Sequence, residues 1–265
     1  MVDEPSAENT IRELTAMTLA NAMSVPARAA LYSFTILNKT GMSQSYTLFS
    51  QPPIVKPTVE KLTPHAILVT RGVASGSGNA FLTIPCDEHY AICGLSHEDE
   101  SVQMRVLDRC AVTVGRGLSY NFRPGTTCVV DMLSAAPSFV RWGGPASDTG
   151  ELGAFCLRTP GGFTYEQAKN NQWIVGLGLY TSGSAFVGIY ASFTPTPRTD
   201  YQIEPSKVFY VVPRALEANE KKPEDLDFSQ ECKVNFELLS PRVQLVHDDD
   251  NIIRISEGVS SGSRL

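Results

Sequence analysis

One histidine in this sequence stands where a side chain could carry out acid–base chemistry. His65 follows Pro64 directly and begins an apolar run with the composition of a strand, so its ring could point along a sheet into a pocket. An imidazole there could donate or accept a proton near neutral pH. The other interpretation is a hydrogen-bonded histidine at a strand end, and the sequence leaves both open. His65 is therefore the candidate catalytic residue.

The remaining polar patterns lack the spacing that catalytic or metal sites require. Ser75 and Ser77 lie in a glycine-rich loop with no following helix, unlike the nucleophile of a serine hydrolase. That loop also lacks the Lys-Ser/Thr pair of a phosphate-binding loop. The run Asp248–Asp250 has neither the alternating ligands nor the closing glutamate of a calcium loop. The histidines share no ligand spacing and no C-x-x-C pair occurs, so the sequence predicts neither a metal nor a cofactor.

Aromatic side chains beside bare glycine positions provide the candidate ligand-binding residues. These residues are Trp173, Gly176, Gly178, Tyr180 and Tyr190. Tyrosine and tryptophan combine a large apolar ring with a polar group, which suits the lining of a pocket for a small apolar or aromatic molecule. Most aromatic residues in a domain of this size must nevertheless belong to the core.

Residues 172–193 have the pattern of a central β-hairpin. Two apolar runs flank Ser182-Gly183, which is the signal for a tight turn. With that turn, Gly178 faces Val187 across the hairpin. Both faces are apolar, so we expect the hairpin to be covered on both sides. A glycine inside a strand indicates a bulge, a close contact between sheets or the bare floor of a binding site, and the sequence does not distinguish them.

The rest of the chain contains many short apolar runs separated by turn residues, which is typical of an antiparallel β-sandwich or barrel. We therefore predict an all-β fold with one N-terminal helix and one short internal helix. Helical spacing predicts the first helix over residues 7–23. The capping box Thr164-Tyr-Glu-Gln167 predicts the second over residues 165–171. A further hairpin is expected over residues 30–50.

A change in composition predicts how the chain is divided. Residues 215–231 are the most polar stretch and have the composition of a surface linker. We expect residues 1–29 to form the N-terminal helix and its linker, and residues 30–214 the main β domain. Residues 232–265 should form a C-terminal hairpin packed on that domain. The prolines within residues 51–57 exclude this segment from the interior of a sheet.

Charge excludes two classes of partner. The sequence has 22 basic and 28 acidic residues, a net charge of −6, and its basic residues are scattered singly. Nucleic acid and an anionic membrane surface both require clustered positive charge, so neither is expected as a partner, whereas a homo-oligomer is left open. The acidic N-terminus is unlike a secretory signal. A cytoplasmic protein is therefore predicted, or a secreted one whose signal has been removed.

The six cysteines are too dispersed for a disulfide scaffold. Most of them lie in apolar runs, which predicts buried free thiols, and one disulfide between Cys86 and Cys93 is the alternative. Asn38-Lys39-Thr40 is a glycosylation sequon, which matters only in a secreted protein.

Three stretches of the sequence resemble a group of small all-β fungal proteins that are encoded in natural-product clusters. They are F-T-I-L-N-K-T-G-M-S-Q-S-Y-T-L-F-S-Q-P-P, Y-E-Q-A-K-N-N-Q-W-I-V-G-L-G and D-Y-Q-I-E-P-S-K-V-F-Y-V. Within that group, the chain is similar to the cofactor-free pericyclases of tropolone sesquiterpenoid pathways, the hetero-Diels–Alderases, over residues 30–215. The resemblance includes no motif specific to that activity, so it transfers no catalytic residue.

The resemblance implies an enzyme without a cofactor that encloses an apolar, partly aromatic small molecule and directs its cyclisation. One alternative is a non-enzymatic binding module, such as a lectin or lipid carrier, with the same aromatic lining. Another is an effector or structural protein without a pocket. An enclosed cavity with one or two polar groups at its end would favour the enzyme, and shallow exposed aromatic residues on loops would favour the binding module.

Overall fold

The computed structural model describes residues 31–86, 88–96, 104–132, 136–140, 148–180 and 186–256. From Leu31 onward, these residues form one compact unit. Almost all of the regular structure in them is β-strand, which confirms the predicted all-β, sandwich-like fold. None of the helices in this part of the chain has the length and apolar character that crossing a membrane requires. The N-terminal helix predicted over residues 7–23 lies outside the described residues.

Eighteen strands follow one another in the described chain. The first nine are β1 (Leu31–Asn38), β2 (Gln44–Ser50), β3 (Ile54–Lys56), β4 (Thr63–Pro64), β5 (Ala66–Val73), β6 (Asn79–Pro85), β7 (His89–Leu95), β8 (Arg105–Val112) and β9 (Thr127–Asp131). The others are β10 (Ser138–Phe139), β11 (Phe155–Arg158), β12 (Trp173–Tyr180), β13 (Phe186–Phe193), β14 (Asp200–Glu204), β15 (Val208–Val212), β16 (Cys232–Asn235), β17 (Arg242–His247) and β18 (Ile253–Ile255). A short helix, α1 (Tyr165–Asn170), precedes β12, and a 3-10 helix spans Phe228–Gln230.

The strands form four sheets in which most neighbours are antiparallel. Their strand orders are β18-β17-β1-β6, β16-β15-β2-β5, β4-β13-β12-β7-β8 and β10-β9-β11-β14-β3. Two pairs are parallel, β1 with β17 and β9 with β11. Because a tight turn cannot join parallel neighbours, each of these pairs brings together segments that a long connection separates. The proline-flanked β3 is an edge strand, as its prolines require.

One hydrophobic core draws side chains from all four sheets. In β1 the side chains alternate between core and surface, because Tyr32, Phe34 and Ile36 are buried whereas Leu31 is exposed. The rings of Tyr32 and Phe236 stack with their centroids 4.1 Å apart. A favourable aromatic pair contributes roughly 0.5–1.5 kcal/mol beyond the area that it buries. This contact ties β1 to the chain that follows β16.

The predicted central hairpin consists of β12 and β13, which pair in the middle of the sheet β4-β13-β12-β7-β8. Both of its faces are covered, as predicted. Leu177 of β12 lies in the main core. On the opposite face, Ile174 and Ile189 form a small separate cluster with Met104. Period-two alternation along each strand therefore divides the hairpin between two apolar environments.

The register predicted for this hairpin is wrong. Gly178 pairs with Ile189 rather than with Val187, and the pairing shifts at two points along the strands. A bulge places an extra residue on one strand and so shifts the register beyond it. No local pattern in the sequence predicts where these bulges occur. The predicted turn at Ser182-Gly183 lies outside the described residues.

Two glycines of this hairpin permit close approaches between backbones. A β-carbon at Gly176 would collide with the carbonyl oxygen of Ala191 and would lie 2.9 Å from the Cα of Ser192 on β13. A β-carbon at Gly188 would lie 2.6 Å from the carbonyl oxygen of Ile67, which belongs to another sheet. Real β-carbons essentially never come within 3.0 Å of other atoms. The bulge or close-contact interpretation therefore applies to Gly176.

The hairpin predicted over residues 30–50 is wrong. β1 and β2 belong to different sheets, and the turn between them carries the chain from one sheet to the next. Alternation and turn residues are common to a hairpin and to such a corner, so they do not distinguish the two. The hairpin of β17 and β18, by contrast, forms as predicted.

The polar segment predicted as a linker, residues 215–231, does not separate two units. Leu216 and Leu226 are buried beside Phe49 and Tyr210, so the segment packs on the β-structure. The strands β16, β17 and β18 of the predicted C-terminal addition are integral to two of the sheets. Leu216 and Leu226 thus anchor the segment to the β-structure. The sequence did not indicate this, because most residues of the segment are polar.

The short internal helix is confirmed together with its cap. The Oγ1 atom of Thr164 accepts a hydrogen bond from the Gln167 backbone N–H at 3.1 Å. The Gln167 side-chain oxygen accepts one from the Thr164 backbone N–H at 2.7 Å. This reciprocal pair is the predicted capping box, and it satisfies two backbone donors at the start of α1. The helix then leads into β12.

All six cysteines are free thiols, and no disulfide joins Cys86 to Cys93. The prediction of buried free thiols is confirmed for Cys93, Cys128 and Cys156, while the other three are half-buried. Burial raises the pKa of Cys232 to about 11, so this thiol stays protonated at neutral pH.

Asn38 is a buried residue at the corner between β1 and β2. Its Nδ2 atom donates hydrogen bonds to the carbonyl oxygens of Val73 at 2.7 Å and Met42 at 2.8 Å. Its Oδ1 atom accepts from the N–H of Thr40 at 3.1 Å and from the Thr40 hydroxyl at 2.9 Å. Both amide protons are therefore used inside the fold, and the sequon is not accessible for glycosylation in the folded protein.

Asn38→Ala should lower the free energy of unfolding by about 2–3 kcal/mol, because it leaves the buried carbonyl of Val73 without a donor. Urea unfolding followed by tryptophan fluorescence measures this loss. The matched control is Asn79→Ala at an exposed position of β6, which should change stability by less than about 0.5 kcal/mol. Equal stability of the two variants would contradict the role assigned to Asn38.

Candidate ligand-binding cleft

A cleft of about 910 Å³ lies on the face of β12 and β13 that points away from the main core. Its lining comes mainly from three parts of the chain: residues 61–64, the strands β12 and β13, and the segment 214–225. Met104, Ser96 and Thr194 complete it. Small-molecule sites occupy roughly 300–1,000 Å³, so the cleft has the size of such a site.

The floor of the cleft is apolar. Ile174 of β12 and Met104 are buried there, within the cluster that also contains Ile92 and Ile189. Phe193, the last residue of β13, also borders the cleft, but its side chain is buried in the main core. Alternation along β12 and β13 directs Ile174 and Ile189 to this face. The floor therefore offers an apolar surface to part of a ligand.

One hydroxyl interrupts this apolar floor. Ser192 lines the cleft, and its Oγ lies 2.9 Å from His65 Nε2 and 3.4 Å from Met104 Sδ. His65 Nδ1 lies 3.3 Å from the main-chain carbonyl oxygen of Asn219. Because a carbonyl oxygen only accepts, we assign the ring proton to Nδ1, and Nε2 then accepts the proton of the Ser192 hydroxyl. The Ser192 oxygen is left with lone pairs that can accept a hydrogen bond from a ligand.

His65 itself is fully buried between β4 and β5 and lies behind the cleft rather than in its lining. Burial lowers the pKa of its imidazole from 6.5 to about 3, and the charge of Lys221 acts in the same direction. The ring is therefore neutral at physiological pH. A neutral imidazole hydrogen-bonded at both nitrogens orients Ser192 and is a weak base. The geometry is that of a hydrogen-bonded histidine at a strand end.

Charged residues of both signs form the mouth of the cleft. Arg214 Nη1 donates to Asp225 Oδ2 at 2.9 Å, and Lys222 Nζ donates to the carbonyl oxygen of Pro223 at 3.2 Å. Lys61 is exposed at the mouth. Ion pairs between exposed side chains contribute only about 0–1 kcal/mol to stability. These groups can therefore rearrange around a bound molecule at little cost.

Asn219 fixes the segment 214–225 beside the cleft. Its Oδ1 accepts a hydrogen bond from the N–H of Ile189 at 2.9 Å, and its own N–H donates to the carbonyl oxygen of Ala66 at 2.8 Å. Its φ of 65° lies in the left-handed region, which asparagine adopts more readily than most residues. One residue thus connects β13, β5 and the ring of His65.

No protein-family model, curated protein or solved structure matches this chain. The similarity to fungal pericyclases therefore stays an expectation from the sequence. The geometry of the cleft is the basis on which a function can be assigned.

The described lining of the cleft does not include the ligand-binding residues predicted from the sequence. Trp173 and Tyr190 are buried in the main core. Gly176 and Gly178 lie inside β12, and Tyr180 is the last residue of that strand. Of these five, Gly176 is the residue that pairs with Ser192 and permits the close approach of its backbone. A role for any of the five in ligand binding stays a prediction.

Ser192 is the polar residue of the floor that sequence reasoning missed. It lies 127 positions from His65, and no motif surrounds it in the run F-V-G-I-Y-A-S-F. The one indication in the sequence is that Ser192 stands within an apolar strand, where a buried hydroxyl needs a hydrogen-bonding partner. Sequence reasoning also missed the segment 214–225, because a polar composition predicts a linker and gives no indication of a binding site.

The acidic run at residues 248–250 is the one group of three potential metal ligands among the described residues, with carboxylate oxygens within 4.8 Å of one another. Asp248 is already engaged, because it forms an ion pair with Arg254 and its Oδ1 accepts a hydrogen bond from the N–H of Ile252 at 3.1 Å. These contacts are those of the turn between β17 and β18, where Asp and Asn are common.

Proposed function

We propose that this protein binds an apolar, partly aromatic small molecule in the cleft and directs its cyclisation without a cofactor. The observation that carries the proposal is the hydroxyl of Ser192, which a neutral imidazole holds in a single orientation beside the apolar side chains of Ile174 and Met104. Small-molecule sites typically combine a mainly apolar lining with a few fixed polar groups. The resemblance to the hetero-Diels–Alderases supports the cyclisation.

A cycloaddition requires little covalent chemistry from the protein. The apolar floor would hold the two reacting parts of the substrate together, and such positioning supplies up to roughly 7–11 kcal/mol in the best intramolecular models. Ser192 would accept a hydrogen bond from a substrate hydroxyl and so determine which face of the alkene is presented. A cation at the mouth, such as Lys61, would polarise the carbonyl of an electron-poor heterodiene.

One observation favours a second candidate, the non-enzymatic binding module. Exposed Lys61, Arg214 and Asp225 leave the mouth of the cleft in contact with solvent. Catalysis by electrostatic groups gains from the exclusion of water, whereas reversible binding does not require it. The same cleft would then serve a carrier of small apolar molecules.

The fluorophore 8-anilinonaphthalene-1-sulfonate tests whether the cleft binds such molecules, because its rings suit the floor and its sulfonate suits the basic residues at the mouth. Thr63→Trp should weaken its binding by about ten-fold or more, since Thr63 pairs with Ser192 and the new ring would fill the cleft. Thr83→Trp, at an exposed position of β6, is the matched control and should bind as the wild-type protein does. Equal binding by all three proteins would exclude the cleft as the site.

A second measurement separates the enzyme from the binding module. An ortho-quinone methide generated in buffer and a terpene alkene cyclise without help, so the rate and the isomer ratio of the product can be compared with and without protein. The wild-type protein should accelerate the reaction and favour one isomer, and Thr63→Trp should abolish both effects. Fluorophore binding without any change in rate or isomer ratio would identify a carrier.

A further inference from the structure

A second, smaller pocket of about 240 Å³ lies beside the cleft. Its walls include Glu60, Tyr165, Thr194, Thr196 and Tyr201. Thr194 also lines the cleft, so the two sites are neighbours. The volume is below the range of roughly 300–1,000 Å³ that drug-sized ligands occupy, which suits a ligand of only a few heavy atoms.

Hydrogen bonds fix two tyrosine side chains in the walls of this pocket. The Oη atom of buried Tyr201 accepts from the N–H of Thr196 at 2.7 Å, and its ring packs edge-on against Phe193 with centroids 4.8 Å apart. Tyr165, the first residue of α1, donates from its Oη to Glu60 Oε2 at 2.6 Å. Because both rings are held before a ligand arrives, binding need not pay for ordering them.

The charge of the pocket is negative. Glu60 is the one carboxylate in the lining, and none of the described residues that line the pocket is basic. Lys61, the next residue, lines the cleft instead. The hydrogen bond to Glu60, together with burial and the charges of Glu60 and Glu166, raises the pKa of Tyr165 to about 12. The phenol of Tyr165 therefore stays a neutral hydrogen-bond donor at physiological pH.

We propose that this pocket binds a small organic cation with a quaternary or protonated alkylammonium group. The face of a tyrosine ring carries negative electrostatic potential that attracts a cation, and the carboxylate of Glu60 adds to that attraction. Donation of the Tyr165 hydrogen bond to a carboxylate increases the electron density of that ring. The methyl groups of an alkylammonium would contact Val59 and Pro57.

A metal ion suits the pocket less well than an alkylammonium ion. Calcium takes six to eight oxygen ligands and magnesium takes an octahedral set, whereas one carboxylate oxygen here is already bonded to a phenol. An anion would be repelled by Glu60. The site is independent of the function proposed for the cleft, because its ligand and its walls differ apart from Thr194.

Choline and its neutral isostere 3,3-dimethylbutan-1-ol provide the test, because the two probes differ in charge but little in shape. In NMR titrations the wild-type protein should bind choline about ten-fold more tightly than the alcohol. Tyr165→Leu should remove this preference. Tyr165→Phe should weaken choline binding less, since it keeps the ring and loses only the hydrogen bond to Glu60. Glu60→Gln should bring the affinities of the two probes closer together.

Two further variants control for indirect effects, and thermal melts establish that every variant is folded. Tyr120→Leu changes a tyrosine that is 82% exposed elsewhere on the surface, and it should not alter choline binding. Thr63→Trp, which fills the cleft, should also leave choline binding intact, so failure of the cleft proposal would be distinguishable. Equal affinity for the two probes, no binding of choline, or choline binding that survives Tyr165→Leu would each overturn the proposal.

Discussion

The free energy of unfolding should fall steeply as the pH is lowered from 6.5 towards 3, because burial keeps His65 neutral in the folded protein. The pKa of His65 is lowered from 6.5 to about 3 in the fold. Between these two values the unfolded chain binds a proton at this residue and the folded protein does not. Stability therefore rises with pH in this window and is lost as the pH falls. Above pH 6.5, His65 contributes no pH dependence.

The expected loss is large. One unit of pKa difference corresponds to about 1.4 kcal/mol, so His65 alone should account for about 3 kcal/mol by pH 4.5. Domains are typically stable by only about 5–15 kcal/mol. The pKa of His247 is lowered by burial, and the pKa of Asp200 is lowered by its hydrogen bond from Arg158. Both effects have the same sign as that of His65, although the effect of Asp200 sets in only near and below its ordinary pKa of 3.8. The raised pKa of half-buried Glu231 acts in the opposite direction.

Urea unfolding at pH 7.5, 5.5 and 4.5 measures the slope of this dependence. His65→Gln removes the titrating group, so its stability should vary with pH less steeply than that of the wild-type protein, whatever its stability at pH 7.5. His247→Gln serves as the comparison and should remove a smaller share of the slope. Parallel pH profiles for the wild-type protein and His65→Gln would show that His65 is not a buried neutral residue.

Gly176→Ala should destabilise the protein by about 3 kcal/mol, because the added methyl group meets backbone atoms that cannot rotate away. Its β-carbon would collide with the carbonyl oxygen of Ala191 and lie 2.9 Å from the Cα of Ser192. Overpacking of a filled core costs roughly 1–3 kcal/mol when side chains can adjust. Replacing glycine also restricts the unfolded chain, which by itself would stabilise by about 0.4–1 kcal/mol. A net loss therefore reports the collision.

Thermal melts should show a decrease in Tm of roughly 6–12 °C for Gly176→Ala, given about 2–4 °C per kcal/mol for a domain of this size. Gly188→Ala should behave similarly, because its β-carbon meets the backbone of Ile67 in another sheet. Ala111→Val adds bulk at an exposed position of β8 in the same sheet and is the control. A Gly176→Ala variant as stable as this control would remove the packing role of the glycine.

The positions of the strands were more predictable than their partners. Short apolar runs between turn residues located strands such as β1 and β12, and this signal is local. Which strands pair with one another depends on contacts between distant parts of the chain. The corner residue Asn38 joins two sheets, yet the turn around it has the residue types of a hairpin. The register of β12 against β13 likewise depends on irregularities in the pairing at Leu177/Gly178 and at Leu179/Tyr180.

The candidate site was less predictable for a physical reason. Large rings such as those of Trp173 and Tyr190 contribute more to a core than to a pocket, so an aromatic residue on a strand is a poor indicator of ligand contact. The residues next to His65 in the sequence identified it as a candidate catalytic residue. In the structure its ring is buried and neutral, and it orients the hydroxyl of Ser192 by a hydrogen bond. Partners 127 positions apart leave no joint pattern in a single sequence. Only the folded chain brings them within hydrogen-bonding distance.

The parallel pairing of β1 with β17 has a consequence for synthesis on the ribosome. β1 begins at Leu31, but the strand that completes one of its edges ends at His247. Until residue 247 has emerged, that edge of an apolar strand offers unpaired N–H and C=O groups to other nascent chains. Contacts between such distant segments also slow folding. Polypeptides stalled between β16 and β17 should therefore be the species of this protein that most depend on chaperones.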